Sequence, residues 1–485
     1  MRGNLGSIRR ILPYWGLTQA VLGFSMFMPM ILGLIDGERL AYIYGLSGAA
    51  GLTAGLLLFK CFPVEDELTH KDACLLVALT WLSAGLYGAV PYLGYGVISR
   101  FPQAFFEAVA GFSTTGASVL TDMESMERSL HLWHSVTFWL GGLGIVVLFV
   151  SMLSFFGNSG VQVYMAEVTG PIKERIAPRI KETARILLLT YIVLTLIAIL
   201  VLILAGMTPF EALCHGFGAV STGGYSTQND SIIGYGPVVR LILAFLVMLS
   251  GMQIHLFYAA FQARSLNVFW RNEEVRVYLA LILGSVLITS FAMVAEGRQM
   301  LASLLDSYVQ LVCAITSTGF ISTDYTAWPP VGQFFFLVLP YIGACAGSTG
   351  AGLKVGRLII LMKGMGAALT RILHPKAVVH IRINNKPAPA EAIANTQVFF
   401  FIYILIAVSS TAVFCLAGYD IRTSFSIVSA CLNNVGPAFE QMGPMTHYGS
   451  MPGWSLIFLS LLMLLGRLEL YAILVLFSRS FWRES

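Results

Sequence analysis

The residues best placed to do chemistry in this chain are four short polar runs that end in glycine. They are Ser113-Thr114-Thr115-Gly116, Val220-Ser221-Thr222-Gly223, Thr316-Ser317-Thr318-Gly319 and Asn433-Asn434-Val435-Gly436, with glycines 107, 96 and 117 residues apart. Each follows an apolar segment (102–112, 209–220, 303–316 and 421–433) of only 11 to 14 residues. About 20 apolar residues are needed to cross a hydrocarbon core, so these segments enter and turn back. Irregular backbone at that depth survives only where it lines protein or water. Four such turns around one axis would present rings of carbonyl oxygens, which can replace the water shell of a desolvated cation. Glycine lets each turn enter positive φ at little steric cost. The short helix before it would aim its negative C-terminal end at the same cavity. No side-chain carboxylate is required.

Other constellations carry less. The seven cysteines (61, 74, 214, 313, 345, 415 and 431) are scattered without a CxxC pair, which reads as packing rather than a disulfide frame or metal site. His131 and His134, three apart, could share a helix face at the outer membrane surface and read as interfacial residues rather than a zinc site. Glu107, Glu211 and Asp306, in or near the short segments, read as helix-start acids stabilised by the dipole. The run 111–116 is one residue too long for a G-x-S-x-G elbow. Gly352-Leu353-Lys354 lacks the adjacent Gly-Lys of a phosphate loop.

The elements that must position the turns are legible from composition. The chain has 485 residues, 57% hydrophobic and 11% charged. That is less than half the charge of an ordinary soluble protein. Ten spans can be drawn, at 11–35, 40–59, 73–99, 132–160, 186–206, 241–263, 277–295, 328–362, 392–419 and 452–478. The first is too long for a signal-peptide core and reads as a retained helix. Of 29 Lys and Arg residues, 20 fall on the side of the N-terminus, six on the other, and Lys354, Arg357 and Arg467 at membrane depth. Positive charge marks the cytoplasmic face, so both termini are expected there. The net charge of +4 reflects this topology and gives no reason to invoke nucleic acid.

Span 328–362 has glycines at 343, 347, 350, 352 and 356, five in fourteen residues, beside Lys354 and Arg357. Glycines four apart are close-packing motifs, but this density also weakens a helix and predicts an unwound constriction. Arg467 lies in an otherwise apolar last span, where an ionisable residue costs at least about 2.5 kcal/mol and marks function by default. A pair with Glu469 is the structural alternative. A position facing the pore beneath the turns is the expectation.

Taken together, the four turns, the sequence Trp139-Leu140-Gly141-Gly142-Leu143-Gly144, Ala166-Glu167 with Gly170-Pro171, and the glycine-rich run 343–354 resemble the TrkH membrane subunit of the Trk/Ktr/HKT potassium transporter superfamily. The resemblance implies an all-α polytopic membrane protein of four pseudo-symmetric helix–pore-loop–helix repeats, after two extra N-terminal helices. The corresponding divisions are 1–71, 72–165, 166–272, 273–375 and 376–485. It implies K+ as the transported ion, with no organic cofactor in this chain and no enzyme activity. The ion-facing carbonyls would be those of Thr114, Thr115, Ser221, Thr222, Ser317, Thr318, Asn434 and Val435, shaped by Gly116, Gly223, Gly319 and Gly436. An intramembrane gate would comprise Gly343, Gly347, Gly350, Gly352 and Lys354, with Arg467. The implied partners are a second copy of the chain, the lipid bilayer and a cytosolic RCK-type nucleotide-binding ring. That ring would dock on 160–184 and 365–390, in the bacterial cytoplasmic membrane. Two rivals remain open. One is an H+- or Na+-coupled symporter, which would want a second protonatable or sodium site. The other is a membrane enzyme, against which the eight dispersed histidines argue.

In plant members of the superfamily a serine replaces the first filter glycine and goes with sodium preference. Gly116→Ser is therefore expected to lower the preference for potassium over sodium, read as a shifted reversal potential; an unmoved one would remove Gly116 from that role.

Overall fold

Apolar runs in a bilayer become helices because only intrasegment bonds can satisfy their backbone. In the computed structural model, which describes residues 2–63, 68–144, 180–377, 379–444 and 446–482, the sequence forms α1 (Arg2–Ser25), α2 (Phe27–Asp36), α3 (Tyr42–Cys61), α4 (His70–Gly94), α5 (Phe101–Phe112) and α6 (Arg128–Leu143). It continues through α7 (Ile180–Leu204), α8 (Pro209–Val220), α9 (Pro237–Ser250), α10 (Ile254–Ala263), α11 (Glu273–Ala295) and α12 (Met300–Ile315). The last helices of ten or more residues are α13 (Pro330–Ile342), α14 (Val355–Leu373), α15 (Ala390–Leu416), α16 (Ile421–Leu432) and α17 (Gly453–Arg467). Among the described residues the only strands are β1 (Arg382–Ile383) and β2 (Lys386–Pro387), an antiparallel hairpin. A long helix, a shorter helix that ends in one of the polar turns, and a third helix follow one another four times, as α4–α6, α7–α9, α11–α13 and α15–α17.

Six helical stretches are long and apolar enough to span a membrane, and two bent pairs reach that length together. The bends correct two of the ten expected spans. The run at 241–263 breaks by 88° between α9 and α10, and the run at 452–478 breaks by 116° between α17 and the segment Tyr471–Phe477. The expected break in 328–362 is present, between α13 and α14. The second half of span 132–160, the Ala166-Glu167 and Gly170-Pro171 motifs, and 160–179 of the basic stretch lie outside the described residues.

Two local devices tie the N-terminal helices to the rest. Thr69 and Asp72 form a reciprocal capping box that starts α4. Arg10 of α1 donates to Asp72 through Nε at 3.0 Å and Nη2 at 3.1 Å. Along α1 and α3 the contact is backbone to backbone. A Cβ on Gly55 would lie 2.3 Å from the Gly16 oxygen, and one on Gly23 would lie 2.6 Å from the Leu52 nitrogen. Small residues allow such approach in a membrane, where packing rather than hydrophobicity joins helices. Gly55→Leu is expected to push α3 off α1 at a cost of about 1–3 kcal/mol, read as a lowered Tm in detergent; an unchanged Tm would refute the close contact.

Candidate ion pathway

The four short helices α5, α8, α12 and α16 end in the same backbone hydrogen-bond pattern. In the first, the Thr114 N–H donates to the Gly111 oxygen at 3.0 Å and the Thr115 N–H to Ala110 at 2.8 Å. The counterparts are Thr222 to Ala219 and Gly223 to Gly218, Ser317 to Ala314 and Thr318 to Cys313, and Asn434 to Cys431 and Val435 to Ala430. This is a Schellman-type terminus, whose signature is a left-handed residue just past the helix. That residue is Thr114 (φ 57°), Thr222 (φ 54°), Ser317 (φ 60°) and Asn434 (φ 53°). The left-handed position is thus held by non-glycine residues, at about 1–3 kcal/mol each, where the sequence predicts the glycine.

The pattern also moves the register of the second repeat by one. Ser221 caps its helix as Ser113 does in the first, so Gly223 stands with Thr115 and Gly224 with Gly116. Four glycines, Gly116, Gly224, Gly319 and Gly436, then meet. A Cβ on Gly116 would lie 2.6 Å from the Gly319 Cα, one on Gly224 2.1 Å from the Gly319 nitrogen, and one on Gly436 2.2 Å from the Gly116 carbonyl carbon. The oxygens of Gly223 and Val435 lie between Gly116 and Gly319, each 3.1 Å from a Gly116 Cβ position. Thr114, Thr115, Ser221, Thr222, Ser317, Thr318, Asn434 and Val435 are all buried around this ring. In the first and third repeats the hydroxyls flanking the left-handed residue bond each other at 2.8 Å, Ser113 to Thr115 and Thr316 to Thr318. The fourth repeat reaches across instead, its Asn434 Nδ2 donating to Thr115 Oγ1 at 2.8 Å. The ring glycines form the floor of an open cavity whose wall includes Phe138, Tyr225, Ile321 and Tyr448. In the exposed segment after Thr121, Asp122 sits below the ordinary carboxylate range because Ser125 and Asn229 donate hydrogen bonds to it.

On the opposite side of the ring lies the glycine-rich interruption. Gly343, Gly347, Gly352 and Lys354 have φ of 74°, 73°, 84° and 77°. Gly350 packs against the third turn, where a Cβ would meet the Thr316 oxygen at 2.8 Å. The Ala351 N–H donates to Ser317 Oγ at 3.3 Å, and Lys354 Nζ donates to the Gly350 carbonyl. The neighbouring helix break holds the segment from the side: the Cys345 N–H donates to the Gly251 oxygen at 3.0 Å, and the Ile254 N–H to Gly347 at 3.2 Å. Arg467, at the end of α17, donates to the Thr349 oxygen at 2.6 Å and to the oxygens of Gly141 and Gly142 at the end of α6. Glu469 binds Arg357, whose guanidinium also lies 3.9 Å above the Phe399 ring centroid.

The chain that carries these turns is similar to known proteins along nearly its whole length. The TrkH family profile, described as a cation transport protein, matches residues 49–484. The chain belongs to the TrkH family. It is 33% identical to the Trk system potassium uptake protein TrkH of Halomonas elongata, over 99% of this chain and 100% of that one. The Escherichia coli protein of the same name is 34% identical over 97% of this chain and 98% of its own. The crystal structure of the potassium transporter TrkH from Vibrio parahaemolyticus superposes with a TM-score of 0.88 at 28% identity, covering 98% of this chain and 100% of that one.

Several groups of this TrkH-family chain stand elsewhere than the sequence suggested. Glu107 and Asp306 lie within α5 and α12 rather than at their starts. Glu107 accepts from Ser118 Oγ at 2.8 Å and the Val119 N–H at 2.7 Å, and Asp306 pairs with Arg240 at 3.5 Å. Glu211 does form the capping box of α8 with Thr208. His131 and His134 are buried rather than interfacial, and bond the Tyr225 and Tyr92 hydroxyls. Among the described residues no three His, Cys, Asp or Glu groups cluster to hold a metal.

Glu274 escapes sequence reasoning altogether. Its buried carboxylate accepts from the Ala346 N–H at 2.6 Å, the Gly356 N–H at 2.8 Å and the Gln253 amide, so it grips both ends of the loop. Next to it Glu273 pairs with Lys363 and accepts from the Asn384 N–H at 3.3 Å, holding the β1–β2 hairpin. An acid beside an acid at a helix start is its only sequence signal.

Glu274→Gln puts an amide N–H among those donors. In a protein whose other cysteines are replaced, the modification rate of buried Cys345 by a maleimide is expected to rise about tenfold, the equivalent of 1.4 kcal/mol of lost restraint. An unchanged rate would show that Glu274 does not hold the loop.

Proposed function

We propose that this chain carries potassium inward across the bacterial cytoplasmic membrane, through a filter of peptide oxygens gated by the loop beneath it. The observation that carries the reading is the fourfold repetition of one hydrogen-bonded turn, delivered to a common ring by four helix C-termini. In the register of the hydrogen bonds, the filter oxygens belong to Thr114, Thr115, Thr222, Gly223, Ser317, Thr318, Asn434 and Val435. The names of the full-length relatives, Trk system potassium uptake proteins, agree with this reading. Growth at low external potassium in cells lacking uptake tests it: the expressed chain should restore growth, and failure with the protein in the membrane would end the proposal.

Residues 343–354 act as the gate. A chain segment hydrogen-bonded to the third turn would obstruct ion passage there, and its attachments are few and identifiable. Beneath the ring, Lys354, Arg357 and Arg467 outnumber Glu274 and Glu469, so the closed loop also opposes cation passage electrostatically. Gating force comes from the cytosol, where a nucleotide-binding ring of the RCK type docks on the basic segment 365–390 and on 160–184 of each chain of a homodimer. Both termini face that ring. The described part of this surface includes the β1–β2 hairpin, fastened to Glu273 one residue from the loop anchor Glu274.

Arg467→Ala removes the tie between the loop and the end of α6. Uptake of rubidium by liposomes holding the purified chain is expected to rise several-fold, since buried charge-assisted bonds contribute roughly 1.5–3 kcal/mol each. Equal or lower uptake by folded protein would refute the latch. The same assay under an imposed proton or sodium gradient separates passive conduction from coupled symport.

A further inference from the structure

The segments that leave the ring are held by four side chains that share a position and little else. Glu107 lies five residues before the end of α5, His215 five before the end of α8, Gln310 five before the end of α12 and Ser426 six before the end of α16. Each reaches the chain one to three residues beyond its ring glycine. Glu107 takes Ser118 and Val119. His215 Nε2 meets Ser226 Oγ at 3.0 Å. Gln310 accepts from the Ser322 N–H at 3.0 Å and donates to the Phe320 oxygen at 3.2 Å. Ser426 Oγ accepts from the Phe439 N–H at 3.2 Å. All four side chains are buried. Their bonds span the base of each hairpin, so pore helix, turn and outgoing segment form a closed loop of covalent and hydrogen bonds.

We propose that Glu107, His215, Gln310 and Ser426 are positioning residues for ion selection, clasps that stop the ring from contracting around an ion smaller than potassium. The proposal rests on the reading of the ring as a potassium filter. Carbonyl oxygens prefer the larger ion only if their spacing or number resists adjustment to the smaller one. Glycine ring positions supply no such resistance, since they carry no side chain to brace one turn against the next. Beside the single cross-turn bond from Asn434 to Thr115, the resistance then comes from what holds the outgoing segments. The clasps are unequal. Glu107 makes two bonds, one from a hydroxyl and one from a backbone N–H, and Gln310 makes three, accepting from the Ser322 N–H and hydroxyl and donating to the Phe320 oxygen. His215 and Ser426 each hold the segment by one. Discrimination should therefore depend most on the first and third repeats, the pair whose turns also carry the internal hydroxyl bond.

The test is the reversal potential between potassium and sodium solutions, for purified chain in planar bilayers. Glu107→Gln keeps the side-chain volume but sets an amide N–H against one of two donors. Gln310→Glu keeps the acceptor for Ser322 and turns the donor to Phe320 into a second acceptor. Either is expected to lower the potassium-to-sodium permeability ratio about tenfold, the effect of losing one buried hydrogen bond to a charged or amide group. Ser426→Ala, which removes one neutral acceptor, is expected to shift it less than about threefold. A structural role alone would change yield, Tm or total current and leave the ratio alone. Unchanged ratios in conducting variants, or equal shifts in all three, overturn the proposal. Should Glu107→Gln not reach the membrane, the contrast between Gln310→Glu and Ser426→Ala decides. Wild-type chain that conducts no potassium would overturn the filter reading itself, a result distinct from failure of the clasps.

Discussion

A polypeptide that turns back in the middle of a bilayer must satisfy its own backbone, and the four converging turns of this protein are built around one answer to that constraint. Water is absent there, and an unsatisfied peptide group costs several kcal/mol. Each pore helix therefore closes with a pair of bonds from the second and third residues beyond it, to carbonyls three and five residues back. The bonds force one residue of every turn into the left-handed region, and that residue swings the chain toward the axis. Neighbouring helices must fit this geometry. Gly141 lies so close to the Phe112 carbonyl, and Gly466 to the Leu432 carbonyl, that neither position has room for a side chain. In the first and fourth repeats, the long helix after the pore turn can pass beneath it only because it carries glycine there.

Much of this was legible without coordinates. Charge-free runs gave the helices. The short apolar segments before Gly116, Gly319 and Gly436 gave three turns in the correct register. The second repeat went astray for a simple reason: Ser221-Thr222-Gly223-Gly224 offers two glycines, and matching Ser-Thr-Gly triplets selects the wrong one. Only the bond from Gly223 to Gly218 shows that Gly223 occupies a threonine position.

The helix breaks were legible in one repeat of three. Five glycines announced the loop after α13. The bend after α9 is marked by a single Gly251, and the bend after α17 turns on Glu469 and Leu470, both left-handed at φ 50° and 61°. Neither residue type favours that conformation, so local propensity points to a continuous helix, and tertiary contacts overrule it: the pairing of Glu469 with Arg357 holds one of the two from outside. His131 and His134 misled in the opposite direction. Polar rings near a helix start suggest an interface, but α4 and the chain after α8 enclose them and their tyrosine partners supply the missing polarity.

The first turn of α11 carries two acidic side chains in succession that serve different masters. Glu273 fastens the β1–β2 hairpin and Lys363, while Glu274 fastens Ala346 and Gly356. Consecutive residues of a helix are separated by a rise of about 1.5 Å and cannot move independently. Any displacement of the hairpin would therefore carry with it the carboxylate on which Ala346 and Gly356 are hung. The two fastenings are neighbours in the sequence, and no long chain of intermediaries separates the hairpin from the glycine-rich segment.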